Sequence, residues 1–159
     1  MKIDILCVGK IKEQFYTRAF EEYSKRLGRY CDLNVIEVKD EETPDGASPK
    51  EEERILKIEG ERLLSKLKQG SCVIVLDIGG KSLSSVEFAK NLEDLMNRGA
   101  SRICFIIGGS LGLSDEVKKR ADLRLSFSAM TFPHQLMRVI LAEQIYRCFR
   151  IMNNEPYHK

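Results

Sequence analysis

Ile103-Cys104-Phe105-Ile106-Ile107-Gly108-Gly109-Ser110 is the stretch that decides the fold. Five apolar residues followed at once by a glycine turn are typical of a strand that is covered on both faces. A second apolar run, from Cys72 to Ile78, precedes it. Between the two runs, Ser84 and Glu87 form a capping box that opens a helix. The buried side of that helix is predicted to carry Phe88, Leu92, Leu95 and Met96, and Gly99 ends it. This strand–helix–strand order indicates a parallel sheet.

The rest of the chain continues the alternation. Further strands are predicted over Ile3 to Val8, Leu33 to Val38 and Leu123 to Ser128. The other predicted helices are one along Phe15 to Leu27 that Gly28 closes, one from Ser48 to about Lys68, a short one over Asp115 to Ala121, and a long one that starts at Pro133. Strands that alternate with helices imply an α/β fold with a mainly parallel sheet flanked by helices. We expect a single domain over residues 1–159, since no repeat or composition break divides the chain.

The composition favours a cytoplasmic protein without a metal centre. No apolar run approaches the roughly 20 residues that a membrane span needs. An acidic residue, Asp4, interrupts the apolar N-terminal segment, which lacks the architecture of a signal peptide. The five cysteines, Cys7, Cys31, Cys72, Cys104 and Cys148, form no C-x-x-C pair and no cluster with histidine. We interpret them as buried thiols in a reducing compartment.

Charge is unevenly distributed, although the net charge is only +2. The segment from Glu37 to Arg62 holds 10 acids and 5 bases, whereas Val117 to Lys159 holds 8 bases and 3 acids. Such polarity can turn one face toward a polyanion and keep the other face away from it. It can equally come from solvated helix faces, and both interpretations stay open at this point.

Ligands of parallel sheets bind beyond the carboxyl ends of the strands, which directs attention to the loops after Ile78, Ile107 and Ser128. Gly79-Gly80-Lys81-Ser82 resembles the end of a phosphate-binding loop, but Val75 stands where that motif needs its first glycine. The turn that starts at Gly108-Gly109 does not match the dinucleotide fingerprint either. Its glycines would let the backbone approach a flat ligand, although any tight turn also needs glycine.

The segment from Phe127 to His134 is the more informative one. It carries apolar Phe127, Met130 and Phe132 outside any helical or strand period. Exposed aromatic side chains in a loop are unfavourable unless they line a pocket or an interface. The helix that follows also presents free backbone N–H groups at the same place. We therefore predict a binding pocket here, with His134 as either a polar surface residue or a member of the site.

The motifs taken together resemble the bacterial RlmH family. They are Leu76-Asp77-Ile78-Gly79-Gly80-Lys81 with Ser84-Ser85, Phe105-Ile106-Ile107-Gly108-Gly109-Ser110 with Gly112-Leu113, Met130-Thr131-Phe132-Pro133-His134-Gln135 with Arg138, and the terminal Tyr157-His158-Lys159. The opening Lys2-Ile3 to Val8-Gly9-Lys10 is similar as well. The resemblance covers the entire chain. Its specificity comes from the combination, since no single motif would suffice.

This resemblance implies a SPOUT-class methyltransferase with a trefoil knot in the C-terminal half, a rare exception to unknotted topology. It implies a homodimer that methylates N3 of a pseudouridine in 23S ribosomal RNA, on the assembled ribosome. The implied cofactor is S-adenosyl-L-methionine. Its implied contacts are Leu76, Gly108, Phe127, Ser128, Ala129, Met130, Thr131 and Phe132.

The chemistry of such a transfer suggests roles for the remaining residues. A sulfonium donor and a deprotonated imide nitrogen lose their opposite charges as the methyl group passes, so a dry pocket favours the reaction and no metal is needed. His134 is the first candidate for the base, because its ordinary pKa lies near 6.5. Arg138 lies one helical turn beyond and is expected to face the same cleft and to position the RNA or the developing charge. Tyr157 and His158, arriving from the partner subunit's tail, are the alternative source of the base.

The last predicted helix bears on assembly. Leu136, Val139 and Ile140 are apolar in addition to the stripe that runs from Met137 to Met152, so both flanks of the helix need cover. We expect one face to pack on the sheet and the other on a second subunit. Two rival functions stay open: a non-catalytic RNA-binding module and another nucleotide-binding enzyme such as a dehydrogenase. Binding of S-adenosyl-L-methionine by the isolated protein would separate both from the methyltransferase.

Overall fold

Ten elements alternate along residues 1–159 of the computed structural model. The strands are β1 (Lys2–Val8), β2 (Asp32–Val38), β3 (Cys72–Ser82), β4 (Arg102–Ile107) and β5 (Leu123–Ser126). The helices are α1 (Gln14–Leu27), α2 (Pro49–Lys66), α3 (Ser85–Asn97), α4 (Asp115–Arg120) and α5 (His134–Met152). No helix has both the length and the apolar character required to cross a bilayer.

The five strands form one parallel sheet in the order β2-β1-β4-β3-β5. This confirms the α/β fold with a parallel sheet flanked by helices. The chain passes from β4 over β3 to place β5 at the edge of the sheet. The strand order is consistent with the trefoil knot that the family resemblance implies, and the knot itself stays a prediction.

Both faces of the sheet are buried, as the continuous apolar strands predict. Ile3 and Ile5 of β1 face a core that α1, α3 and α5 cover. Leu6 and Val8 of the same strand face a second core under α2 and α4. Because successive side chains of a strand point to opposite faces, the two cores share the central strands and hold their carboxyl ends rigidly in one layer.

The predicted helix starts are confirmed in atomic detail. Ser48 accepts a hydrogen bond from the backbone N–H of Glu51, whose carboxylate accepts in return from the backbone N–H of Ser48. Ser84 and Glu87 form the same reciprocal pair at the start of α3. Gly28 ends α1 as predicted, but in a helical conformation, with φ of −57°, instead of a left-handed one.

The structure corrects the boundary predicted at Ile78. The strand β3 continues to Ser82, and the register with β5 shifts between Leu76 and Lys81. A Cβ atom on Gly80 would lie 2.7 Å from the carbonyl carbon of Arg124, so only glycine allows the two strands to approach here. Gly79 and Gly80 therefore form an irregularity within the strand pair instead of a loop after it.

The second correction concerns β5, which ends at Ser126 instead of Ser128. The Ser126 hydroxyl donates to the carbonyl of Ser128 over 3.2 Å. The Ser128 hydroxyl accepts from the backbone N–H of Met130 over 3.0 Å. These local bonds take the place of ladder bonds and turn the chain away from the sheet, which puts Phe127 and Ser128 in the loop.

Candidate functional site

A cavity of about 720 Å³ opens at the carboxyl edge of the sheet. Three segments supply most of its wall: Leu76 to Ile78 of β3, Ile107 to Leu113 after β4, and the loop from Phe127 to His134 after β5. Met137 of α5 closes one side. The cavity thus forms where the parallel-sheet rule predicts a ligand site.

The residues that the family resemblance assigns to a cofactor come together on this wall. Leu76, Gly108, Phe127, Ser128, Met130, Thr131 and Phe132 all line the cavity. Ala129 lies in the same turn but not on the wall. Met130 is 73% exposed, and Ile78 opposite is 54% exposed. Apolar side chains this open at a cavity mouth leave surface that a bound ligand could cover.

The glycine turn after β4 folds back on itself. The backbone N–H of Gly112 donates to the carbonyl of Gly109 over 3.0 Å, and Gly112 has a φ of +87°. A Cβ atom on Gly108 would lie 2.3 Å from the Gly112 carbonyl oxygen. The turn is therefore closed to any larger residue at Gly108, and its bare backbone forms part of the cavity wall.

A buried carboxyl group supports this turn from behind. Glu59 of α2 is 4% exposed and accepts from the backbone N–H of Glu41 through one oxygen. Its other oxygen has no partner and would lie 2.9 Å from a Cβ atom on Gly109. Burial raises the pKa of Glu59, and the charge on Asp40 adds to the effect. Sequence reasoning missed Glu59, although an acid between the buried Ile55 and Leu63 of one helix was the available signal.

One corner of the cavity is charged. Asp77 lines the wall together with Lys118. Its carboxylate accepts from the Arg124 guanidinium over 2.9 Å, and the Lys118 ammonium lies 3.7 Å away. Burial alone would raise the pKa of Asp77, but the bond from Arg124 and the charge on Lys118 outweigh it and lower the pKa. This corner pairs opposite charges in a wall that is otherwise largely apolar.

His134, the first residue of α5, also lines the cavity. Its ring packs on Gly9, where a Cβ atom would lie 3.3 Å from Cε1. Its Nδ1 atom is buried without a hydrogen-bond partner. Burial lowers the pKa of His134, and the charge on Arg138 lowers it further. The ring is therefore held neutral near pH 7, in the form that can accept a proton.

Arg138 does not share the cleft with His134. Its side chain is 2% exposed and donates to Glu37 over 2.8 Å and to the carbonyl of Gly9 over 2.5 Å. It is absent from the cavity wall. An arginine that has an ion pair inside the chain is better satisfied there than in a solvated cleft, which corrects the expectation that it faces the cleft. In this position Arg138 ties the start of α5 to the end of β1.

The terminal residues dock on the far part of α5. The Tyr157 hydroxyl donates to Glu143 over 3.0 Å, and its ring packs against Arg147. The Nδ1 atom of His158 lies 3.2 Å from the Arg147 guanidinium. Burial and the bond to Glu143 raise the pKa of Tyr157 to about 12. Glu143 lies nine residues beyond His134, or about 13 Å along the helix axis, so the tail does not reach the cavity of its own chain.

Comparison with known proteins assigns this architecture to a family. The family model described as "Predicted SPOUT methyltransferase" matches residues 1–158. The chain belongs to the SPOUT methyltransferase family.

Curated relatives of this SPOUT methyltransferase match it end to end. The protein named ribosomal RNA large subunit methyltransferase H from Clostridioides difficile (strain 630) is 59% identical over 159 residues, which is 100% of both chains. Those from Clostridium botulinum (strain 657 / Type Ba4) and Clostridium perfringens (strain SM101 / Type A; named methyltransferase H 1) are 58% and 57% identical, each again over 100% of both chains. The resemblance to the RlmH family is thereby confirmed over the full length.

No cysteine lines the cavity of this methyltransferase. No group of three or more His, Cys, Asp or Glu side chains is arranged to hold a metal ion. All five cysteines are free thiols, and Cys72 alone is only half-buried. Burial raises the pKa of Cys7 to about 12, so this thiol stays protonated at neutral pH.

Proposed function

We propose that this chain transfers a methyl group from S-adenosyl-L-methionine to N3 of a pseudouridine in 23S ribosomal RNA, acting in the cytoplasm as a homodimer on the assembled ribosome. The observation that carries the proposal is the cavity. Every residue expected to contact the cofactor lines it except Ala129. The printed names of the relatives support ribosomal RNA of the large subunit as the substrate class.

The cavity fits S-adenosyl-L-methionine in size and in chemistry. Its volume of about 720 Å³ falls within the roughly 300–1,000 Å³ of small-molecule sites. The bare turn at Gly108 and the apolar Leu76 and Phe127 suit a flat purine. The paired Asp77 and Lys118 offer partners to the polar groups of the ligand. When bound, this cofactor supplies an electrophilic methyl group on a sulfonium.

His134 is proposed to receive the proton of the target imide. It lies on the cavity wall, is held neutral, and keeps Nδ1 free of bonds within the chain. A base must be unprotonated and able to take a proton. Asp77 on the same wall is also unprotonated, but Arg124 and Lys118 pair with its carboxylate, whereas Nδ1 of His134 has no partner. Arg138 acts through His134 as a positioning residue, because it fixes Gly9 under the ring and adds a positive charge behind it.

The arrangement of α1 and α5 supports a dimer in which each tail serves the other subunit. The two helices run side by side in the same direction, since Gln135 bonds the residues before α1 while Phe149 stacks on Tyr30 after its end. The cavity lies at one end of this pair and Tyr157 at the other. A two-fold axis across the pair would reverse the partner and place the partner's tail at this cavity.

The cofactor and the substrate can be tested in two steps. Calorimetry of the isolated protein should detect binding of S-adenosyl-L-methionine, and its absence would favour a non-catalytic RNA-binding module. Tritiated cofactor should then label 23S RNA in assembled ribosomes more than in free RNA or isolated large subunits, at a nucleotide that mapping identifies as a pseudouridine. His134→Ala should bind the cofactor normally and transfer the label slowly. Near-normal single-turnover transfer would remove His134 as the base.

Subunit mixing tests the shared site. One chain carries His134→Ala, and the other ends at residue 156 and so lacks the tail. Each homodimer should transfer the methyl group slowly. If the tails act in trans, an equal mixture regains about a quarter of the wild-type rate, because half of the dimers are mixed and each has one complete site. No recovery at all would show that each tail serves its own chain.

A further inference from the structure

The first turn of α1 carries an aromatic side chain that does not pack in either core. Phe15 is 63% exposed and leans on Tyr16, with ring centroids 4.4 Å apart and planes tilted by 55°. A single exposed apolar residue is common on protein surfaces, so exposure alone decides nothing. What sets Phe15 apart is where it is held and which charges surround it.

Phe15 is fixed beside the cavity. The side-chain carbonyl of Gln135 accepts from the backbone N–H of Lys12 over 2.7 Å and from that of Glu13 over 3.3 Å. Gln135 directly follows His134 of the cavity wall. The start of α1 is therefore anchored to the start of α5, and the ring of Phe15 is supported two residues from the anchored backbone.

Two exposed lysines lie beside this position. Lys10 and Lys12 precede α1, with Glu13 as the adjacent acid and Asp40 next to Gly9. The ammonium of Lys12 is near enough to lower the pKa of His134. The tail that a partner subunit would bring to this edge carries Glu155 as its one acidic side chain, and that carboxylate already pairs with Arg150, so it leaves the two lysines unpaired. A polyanion complements them.

We propose that Phe15, Lys10 and Lys12 form a docking surface for the RNA substrate, and this proposal rests on the proposed function. The imide nitrogen lies on the pairing edge of the base, so the enzyme must take the base from a single strand or extrude it from its stack, and extrusion leaves a neighbouring base without its stacking partner. The Phe15 ring stacks with that neighbouring base, and the two ammonium groups contact the adjoining phosphates. The surface thus aligns the RNA strand while the target base enters the cavity.

Binding to assembled ribosomes that lack the modification tests the surface directly. Phe15→Ala should raise the Kd by about tenfold or more, because one base–aromatic stack is lost. Phe15→Trp retains a stacking ring and should restore binding. The double variant Lys10→Gln/Lys12→Gln should reduce the slope of log K against log salt by about 1 to 2. Val86→Ala is the matched control, since Val86 is 52% exposed on α3, on the other side of α5.

Two further measurements distinguish failure of the docking surface from failure of the proposed methyltransferase function. Calorimetry with S-adenosyl-L-methionine and sedimentation of the dimer should give wild-type values for every variant. Unchanged ribosome binding in Phe15→Ala overturns the surface while the methyltransferase proposal stands. A loss of dimer in Phe15→Ala also overturns it and makes a second copy of the chain the occupant. If the wild type binds ribosomes through Phe15 but transfers no methyl group, the docking surface is supported and the proposed function is wrong. If the wild type neither binds ribosomes nor transfers a methyl group, both proposals are wrong.

Discussion

The two ends of α5 differ in how far their polar groups are paired. At the N-terminal end, His134 leaves Nδ1 buried without a partner, beside a cavity whose rim exposes Met130. At the C-terminal end, Arg147 bonds Glu143 through two nitrogens, and Arg150 bonds Glu155 and the Pro156 carbonyl while its Nε atom stays unpaired. The first end lies at a cavity with exposed apolar surface, whereas the second forms most of its hydrogen bonds within the chain.

This difference in pairing indicates where on the molecule a ligand can bind. A buried polar atom without a partner costs about 1–3 kcal/mol, so a fold tolerates it mainly where a ligand or water completes the bond. The C-terminal tail has fewer hydrogen-bonding groups available for a ligand, since Tyr157 and His158 already have partners on the helix α5 of the same chain. These two residues can act at a cavity only if the dimer presents them to the other subunit.

Arg138 and Arg147, at opposite ends of α5, give the largest contrast. Arg138→Met should lower the free energy of unfolding by about 3 kcal/mol, because it leaves the buried Gly9 carbonyl without its donor and Glu37 without its cation. Arg147→Met at the other end should cost at most about 1 kcal/mol, since its pair with Glu143 is partly solvated. Urea denaturation at one fixed protein concentration measures both. Equal losses of unfolding free energy in Arg138→Met and Arg147→Met would contradict the proposed difference between the two ends of α5.

The glycine turn should give the next largest effect. Gly108→Ala forces a Cβ atom to within 2.3 Å of the Gly112 carbonyl oxygen, so the turn must open at a cost of about 1–3 kcal/mol. We expect the Kd for S-adenosyl-L-methionine to rise at least about tenfold, because the displaced backbone is a wall of the cavity. The control is Gly28→Ala, at a helical φ of −57° after α1, which should leave the Kd unchanged. Normal binding by Gly108→Ala would place the cofactor elsewhere.

Most of the architecture was predictable because its signals are local. The capping box at Ser48 and Glu51 and the apolar run of β4 depend on residues near each other in sequence. The pocket at Phe127 to Phe132 was also predictable, since its apolar side chains fit no local period, although Phe127 and Ser128 were assigned to the strand and lie in the loop. The methyltransferase class came from the resemblance of several motifs together, and not from periodicity.

The features that sequence reasoning missed depend on partners far away in sequence. The extension of β3 to Ser82 results from its pairing with β5, where Gly80 meets the Arg124 backbone. The burial of Arg138 results from Glu37, which lies 101 residues earlier on β2. A helical pattern indicates which face of the helix a residue occupies, but not which charged residue of another element contacts it.

The pH dependence of the N-terminal end follows from His134. Its pKa is lowered in the folded protein, so protonation favours the unfolded chain and stability is lost as pH falls below the unfolded value near 6.5. One proton limits this slope to about 1.4 kcal/mol per pH unit. His134→Gln should remove this dependence of the free energy of unfolding on pH between pH 6.5 and 5, as measured by denaturation curves. The rate of methyl transfer should stay level above pH 6.5 and fall below it, and a rate that rises instead would contradict a neutral base.

The smallest effect is expected from Tyr157 at the C-terminal end. Tyr157→Phe removes one partly solvated hydrogen bond to Glu143, which is worth at most about 1 kcal/mol. Its pKa is raised to about 12 by burial and by that bond, so this stabilisation is present below the unfolded pKa near 10 and is lost as pH rises toward 12. The absorbance titration of the wild type minus that of Tyr157→Phe isolates this single phenol. A midpoint near 12 that Glu143→Gln brings back toward 10 places the tail on its own helix. A midpoint near 10 in the wild type shows that the tail has left Glu143.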